Sequence, residues 1–158
     1  MGKAKRPRYW WMQLHPSESE HAAFYTVQSV AAGFIGLDFV RDVGDLFQVS
    51  RQALPEHQRD YWAFAHSMGR GDLVLVVCHH FPFALVKVDG DYNYVRKAVP
   101  EIGVWFRHFR KVTDVRYYAD YVTNAAEWEH TTMTGTISPL RDSKSASWKL
   151  IEGLRTMT

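Results

Sequence analysis

Two short stretches of this chain concentrate cations in a pattern suited to nucleic acid. Lys3, Lys5, Arg6 and Arg8 stand at the N-terminus with no acid among them. Arg107, Arg110, Lys111 and Arg116 are interleaved with Trp105, Phe106, His108 and Phe109. Cations neutralise phosphates and flat rings stack on bases, so the mixture fits a surface that holds a backbone beside its bases. If residues 104–112 form a strand, alternation puts Trp105, Arg107, Phe109 and Lys111 on one face. Phe106, His108 and Arg110 then share the other. The plainer alternative is an outer sheet face whose arginine stems lie over aromatic rings. Taken together, the two stretches assign Lys3, Lys5, Arg6, Arg8, Arg107, Arg110 and Lys111 to phosphate contact.

No reaction centre assembles from the remaining candidates. Asp38, Asp42 and Asp45 are the densest acidic cluster, but Arg41 sits between two of them and no lysine completes a carboxylate–lysine nuclease set. Turn formation and capping account for them, with Asp38, directly after Gly36-Leu37, the exception to watch. His79 and His80 are adjacent, and neighbours on a strand face opposite ways, so they would rarely share an ion. The lone Cys78 ends an apolar run and reads as a buried thiol. There is no Walker A loop, no Gly-x-Ser-x-Gly elbow and no Gly-x-Gly-x-x-Gly. The expectation is a domain without catalysis, metal or cofactor.

Composition sets the frame. The 158 residues allow one domain with one core, and 46% hydrophobic with 23% charged residues is ordinary for a globular chain. Nineteen Lys+Arg against seventeen Asp+Glu gives +2, too little to coat nucleic acid by bulk charge. The 15% aromatic content is high enough to supply both a core and a stacking site. No apolar stretch approaches the ~20 residues of a membrane span, and no signal-peptide pattern follows the basic start. A cytoplasmic protein with no membrane contact is expected.

The elements that would position these residues can be read in order. Residues 9–14 form a buried strand broken by His15-Pro16, and Ser17 to Glu20 reads as a capping box. Ala23, Phe24, Val27, Val30 and Ala31 recur at helical spacing as an inner face, with Gly33 as the stop. Residues 34–39 form a second strand. Pro55 opens a second helix with Tyr61, Phe64, Ala65 and Met68 inside. Strands follow over residues 73–78 and 83–88, joined by a His-His-Phe-Pro turn, then over 104–112 and 115–122. Residues 145–155 form a C-terminal amphipathic helix, and residues 1–8 a basic arm. This order predicts an α+β fold, a curved, mostly antiparallel sheet or small barrel flanked by helices.

One ordered series of segments carries a resemblance. It runs Gly33-Phe34-Ile35-Gly36-Leu37-Asp38-Phe39, then Asp42-Val43-Gly44-Asp45-Leu46, then Met68-Gly69-Arg70-Gly71-Asp72-Leu73-Val74. Gly90-Asp91-Tyr92-Asn93-Tyr94 and His108-Phe109-Arg110-Lys111-Val112 complete it. Across residues 10–121 the chain resembles the EVE-like and YTH-like members of the PUA superfamily. The likeness is above all to the reader domains at the N-terminus of McrBC-type, modification-dependent restriction systems. Leu37 departs from the tryptophan many relatives carry after the glycine, so a cage wall must come from Phe34, Phe39, Trp11 or Trp105.

The resemblance implies a PUA-like fold and a non-catalytic reader of a modified base, in DNA or in RNA. The base would be flipped from the stack into an aromatic pocket. A nuclease or motor domain, fused or associated, would carry out restriction in phage defence. Gln13, Ser17 and Asp38 would address the base edge. The expected pocket is edged by Trp11, Gln13, Phe34, Gly36, Asp38 and Phe39, with Tyr92, Tyr94 and Trp105 approaching from the other side. Two other classes stay open: a small nucleotide-processing hydrolase, and a protein-interaction module using its rings as interface.

Overall fold

The computed structural model describes residues 6–14, 21–78, 81–118 and 136–156. Among the described residues seven strands form one sheet: β1 Tyr9–Gln13, β2 Phe34–Leu37, β3 Leu73–Cys78, β4 Phe81–Val88, β5 Asn93–Tyr94, β6 His108–Tyr117 and β7 Ile137–Leu140. Their order is β2-β6-β4-β3-β1-β7, with β5 a short addition to β6. Every pairing is antiparallel except β1 with β3. The sheet curls into an open half-barrel flanked by α1 Ala22–Ala32, α2 Trp62–His66 and α3 Ala146–Arg155. The expected α+β, PUA-like architecture is the one observed.

Alternation along β1 explains how one sheet serves two layers. Trp10 and Met12 enter the main core with Ile35, Leu37, Phe64 and Val74. Tyr9 and Trp11 point the other way, into a smaller cluster under Ile151 and Leu154 of α3. All six residues of β3 are buried, as befits a central strand covered on both faces. β3 and β4 pair as the two apolar runs predict, with a register shift after Val76.

Several boundaries differ from the sequence reading. β2 ends at Leu37, so Asp38 and Phe39 lie beyond the ladder. The strands expected over 104–112 and 115–122 are instead joined in β6, where Asp114 takes a left-handed φ of 49° opposite an irregularity in β4. Of the second helix, residues Glu56–Tyr61 are a 3₁₀ run and only Trp62–His66 are α-helical, although Tyr61, Phe64, Ala65 and Met68 are buried as expected. α1 turns a partly different face inward, with Val30 buried as expected but Ala22, Thr26 and Ser29 beside it. Thr26 and Ser29 are buried because their hydroxyls donate to Ala22 O and Phe34 O, while Phe24 is 55% exposed. β5 and β7 are additions, the latter an edge strand that tolerates Pro139. The capping box and His79-His80 lie outside the described residues.

Gly36 is required by packing. A Cβ there would sit 2.7 Å from Phe106 Cβ and closer still to the His108 carbonyl oxygen, because β2 lies directly on β6. Gly36→Ala is expected to destabilise the protein by about 1–3 kcal/mol, the usual cost of overpacking, measurable by urea denaturation. An unchanged midpoint would show that the two strands separate easily.

Candidate functional site

The end of β2 delivers a carboxylate into the fold. Asp38 is 7% exposed and accepts a 2.8 Å hydrogen bond from the Arg107 backbone N–H. Burial pushes its carboxyl up to about 6, against the Arg107 N–H and guanidinium that favour the charged form. Among the described residues its other oxygen, Oδ2, has no hydrogen-bond partner. A buried carboxylate held by one donor is an acceptor with capacity to spare.

Rings gather around Trp105 in the segment that donates to Asp38. Trp105, two residues before Arg107, is half-buried and lies 5.2 Å from Tyr25 and 5.6 Å edge-on from Phe24. His21 stacks on Tyr25 at 6.0 Å. The first turns of α1 and the segment entering β6 therefore build a partly exposed aromatic surface, with Phe24 its most open ring.

A polar network runs through His108, the residue opposite Leu37 in the sheet. Leu46 N–H donates to Tyr92 Oη, so the phenol's own proton goes to His108 Nδ1, 2.6 Å away. That assignment leaves His108 neutral with its proton on Nε2. Burial holds this imidazole down to about 4, despite the nearby Asp42 and Asp45. His108 is fully buried, and its Nε2 has no partner among the described residues. Phe39 packs edge-on at 5.3 Å and Tyr94 at 5.1 Å against the same ring. Tyr94 donates to Asp42 Oδ2 at 2.7 Å. Burial works to raise the Asp42 carboxyl, but Tyr94, the Gly44 N–H and Arg107 outweigh it and hold the group below its ordinary range.

The expected pocket is thus only partly assembled. Asp38, Trp105 and Tyr94 stand around the end of β2. Trp11 does not join them: it is fully buried on the opposite face of the sheet, in the cluster under α3. Phe39 and Tyr92 are core residues, 1% and 5% exposed, wedged among Tyr61, Phe64 and His108. Gly36 admits β6 rather than a ligand. Phe34 begins β2 at the end away from Asp38 and packs edge-on to Phe109. Gln13 is half-buried at the end of β1, where its N–H donates to Thr136 O. Ser17 lies outside the described residues.

The cationic assignments also divide. Arg110 is 4% exposed and spends its guanidinium on the carbonyls of Phe64, Ala65, Met68 and Gly90, so it cannot meet a phosphate. Lys111 is exposed, and Arg107 half-buried with Nε on Arg96 O. Arg6 and Arg8 are exposed at the far end of β1, Arg8 pairing with Asp72 and reaching Ser67 O. Lys3 and Lys5 lie outside the described residues. Sequence reading missed Phe24 and Tyr25 as surface rings. The signal was Thr26 and Ser29, small hydroxyl residues able to satisfy themselves when buried, which leaves the larger rings for the outer side.

Among the described residues no group of three His, Cys, Asp or Glu side chains is placed to hold a metal, and no helix is long and apolar enough to cross a membrane. Comparison with protein-family models and with curated proteins finds no match.

Proposed function

We propose that this chain is an EVE/YTH-like reader that captures a modified base flipped out of DNA. The observation that carries the reading is Asp38, a carboxylate kept buried at an energetic cost, with an oxygen to spare, held by the N–H of Arg107 two residues after Trp105, which itself packs with Tyr25 and Phe24. Carboxylates accept from the exocyclic amines of cytosine and adenine, and open rings offset the unstacking of a flipped base. Groups with perturbed pKa values cluster where proteins bind and react. Catalysis, where the protein serves restriction in a cytoplasmic defence system, would belong to a separate nuclease or motor domain.

The test is a panel of duplexes carrying 5-methylcytosine, 5-hydroxymethylcytosine, glucosylated cytosine or N6-methyladenine, with matched RNA. One modified DNA should bind better than its unmodified twin, and Trp105→Ala should remove ~1–3 kcal/mol of that preference. A folded Trp105→Ala protein with an unchanged ratio would remove this site from the reading.

A second reading has its own support. Phe24 and Val27, 55% and 38% exposed on α1, would equally suit a protein-interaction module. Salt separates the two, since phosphate contact gives a steep fall of affinity with ionic strength and an apolar interface does not.

A further inference from the structure

A different part of the surface carries a second assignment, on residues distinct from the Asp38 site. Two cavities of about 500 and 570 Å³ lie side by side along β7 and share Ala63, Ser67 and Pro139 in their walls. Together they form one groove, bounded on one side by α2 with its preceding 3₁₀ run and on the other by the starts of β1 and α3. Among the described residues five arginines line it, Arg6, Arg8, Arg51, Arg59 and Arg141, against a single carboxylate, Asp60. The excess is larger than the +2 of the whole chain, so positive charge is concentrated here.

Little inside the protein uses that charge. Asp60 turns Oδ2 to the backbone N–H groups of Thr136 and Ile137. Among the described residues Arg8 alone is ion-paired, with Asp72 at 3.3 Å. The side chains of Arg6, Arg51 and Arg141 make no ion pair or hydrogen bond among the described residues. Arg59 has its Nε buried without a partner, and only a long 3.5 Å bond from Nη2 to Gln52 O. A buried guanidinium N–H without an acceptor on a cationic wall is a donor waiting for an anion.

Each half of the groove also holds a half-buried indole backed by one protein ring. Trp62 stacks on His66 at 3.6 Å, and Trp148 leans on Tyr9 at 4.5 Å. The four residues of β7 make the wall roughly 13 Å long at the rise of a strand. That length suits a run of phosphates better than one ion.

We infer that this arginine groove along β7 binds an extended single strand of nucleic acid, with the arginines on its phosphates and Trp62 and Trp148 stacking bases. Stacking on indole is indifferent to base identity, so the groove would hold a strand without reading its sequence.

Binding of a fluorescent, unmodified oligothymidylate of about 16 nucleotides, followed by anisotropy against salt, tests this. The double variant Arg51→Glu/Arg141→Glu changes two exposed, unpartnered side chains and should bind at least about tenfold more weakly, with a shallower salt slope. Trp62→Ala should cost about five- to a hundredfold. Asp38→Asn should leave this binding unchanged, whatever it does to a preference among modified duplexes. Unchanged affinity in the double variant overturns the assignment. So does equal binding of an abasic strand or a polyglutamate peptide, which would make the groove a generic polyanion or acidic-protein site. Equal weakening by Asp38→Asn would place the strand in the other site and overturn it too.

Discussion

Arg110→Ala is expected to cost about 3–5 kcal/mol of folding stability, the penalty for breaking up a buried, fully used charge. The guanidinium spans two elements. Nε donates to Phe64 O at 2.8 Å, Nη2 to Met68 O at 2.8 Å and Ala65 O at 3.3 Å, and Nη1 to Gly90 O at 3.0 Å. It also lies 5.7 Å over the Phe64 ring. The carbonyls around the end of α2 have no helical partner, so Arg110 closes α2 and pins it to β6 and the Gly90 turn. Burial draws its pKa below the ordinary arginine value, yet guanidinium stays protonated, so the four acceptors are always engaged. Arg110→Lys should recover little, because one ammonium cannot span carbonyls set around a planar fork. At about 2–4 °C per kcal/mol for a chain of this size, the alanine variant should melt roughly 6–20 °C below the parent. A melting point within about 2 °C would mean the four contacts are dispensable. Any loss of DNA binding in this variant follows from unfolding and says nothing about phosphate contact.

Arg110 also shows where the sequence stops being legible. The alternation of β6 was readable: His108, Arg110 and Val112 do share one face, and Phe109 and Lys111 the other. Which face goes inside was not, since both mix rings with cations and the choice rests on carbonyls more than forty residues away. The apolar runs of β3 and β4 identified themselves because a strand covered on both faces needs continuous hydrophobicity. The parallel pairing of β1 with β3 is a long-range choice with no local signature. That pairing, with the alternation of β1, sends Trp11 under α3, so a ring expected in the pocket lies on the wrong side of the sheet. Asp38 was legible as a position, a polar residue just past a strand. Its burial depends on how the segment entering β6 folds over it, and that lies about seventy residues downstream.

Asp38→Asn is expected to stabilise the protein and weaken its recognition of a ligand at once. The folded state holds this carboxyl at about 6, well above its ordinary value of 3.8. A raised acid pKa means the folded protein binds the proton more tightly than the unfolded chain. The group's contribution is therefore favourable below 3.8 and is lost as pH rises to about 6. Asparagine keeps the shape and an acceptor for the Arg107 N–H without the charge, so at pH ~7 the variant should gain on the order of 3 kcal/mol. His108 runs the other way. Its pKa is lowered from 6.5 to about 4, so its contribution is present at neutral pH and is lost as pH falls through that window. Between pH ~4 and ~6 the two slopes, each close to 1.4 kcal/mol per pH unit, oppose each other in the wild type. Removing Asp38 exposes the histidine: relative to wild type, stability of Asp38→Asn should climb by about 1.4 kcal/mol per unit across that range and then level off. Urea denaturation at half-unit steps of pH reads this directly, and parallel curves for the two proteins would show that Asp38 titrates normally and is not held at a cost. Where binding to a modified duplex can be measured, the same variant should lose ~1–3 kcal/mol of discrimination, because its amide presents two donors where the carboxylate offered an acceptor. A side chain whose replacement improves the fold while impairing recognition is one the fold would not keep for stability alone.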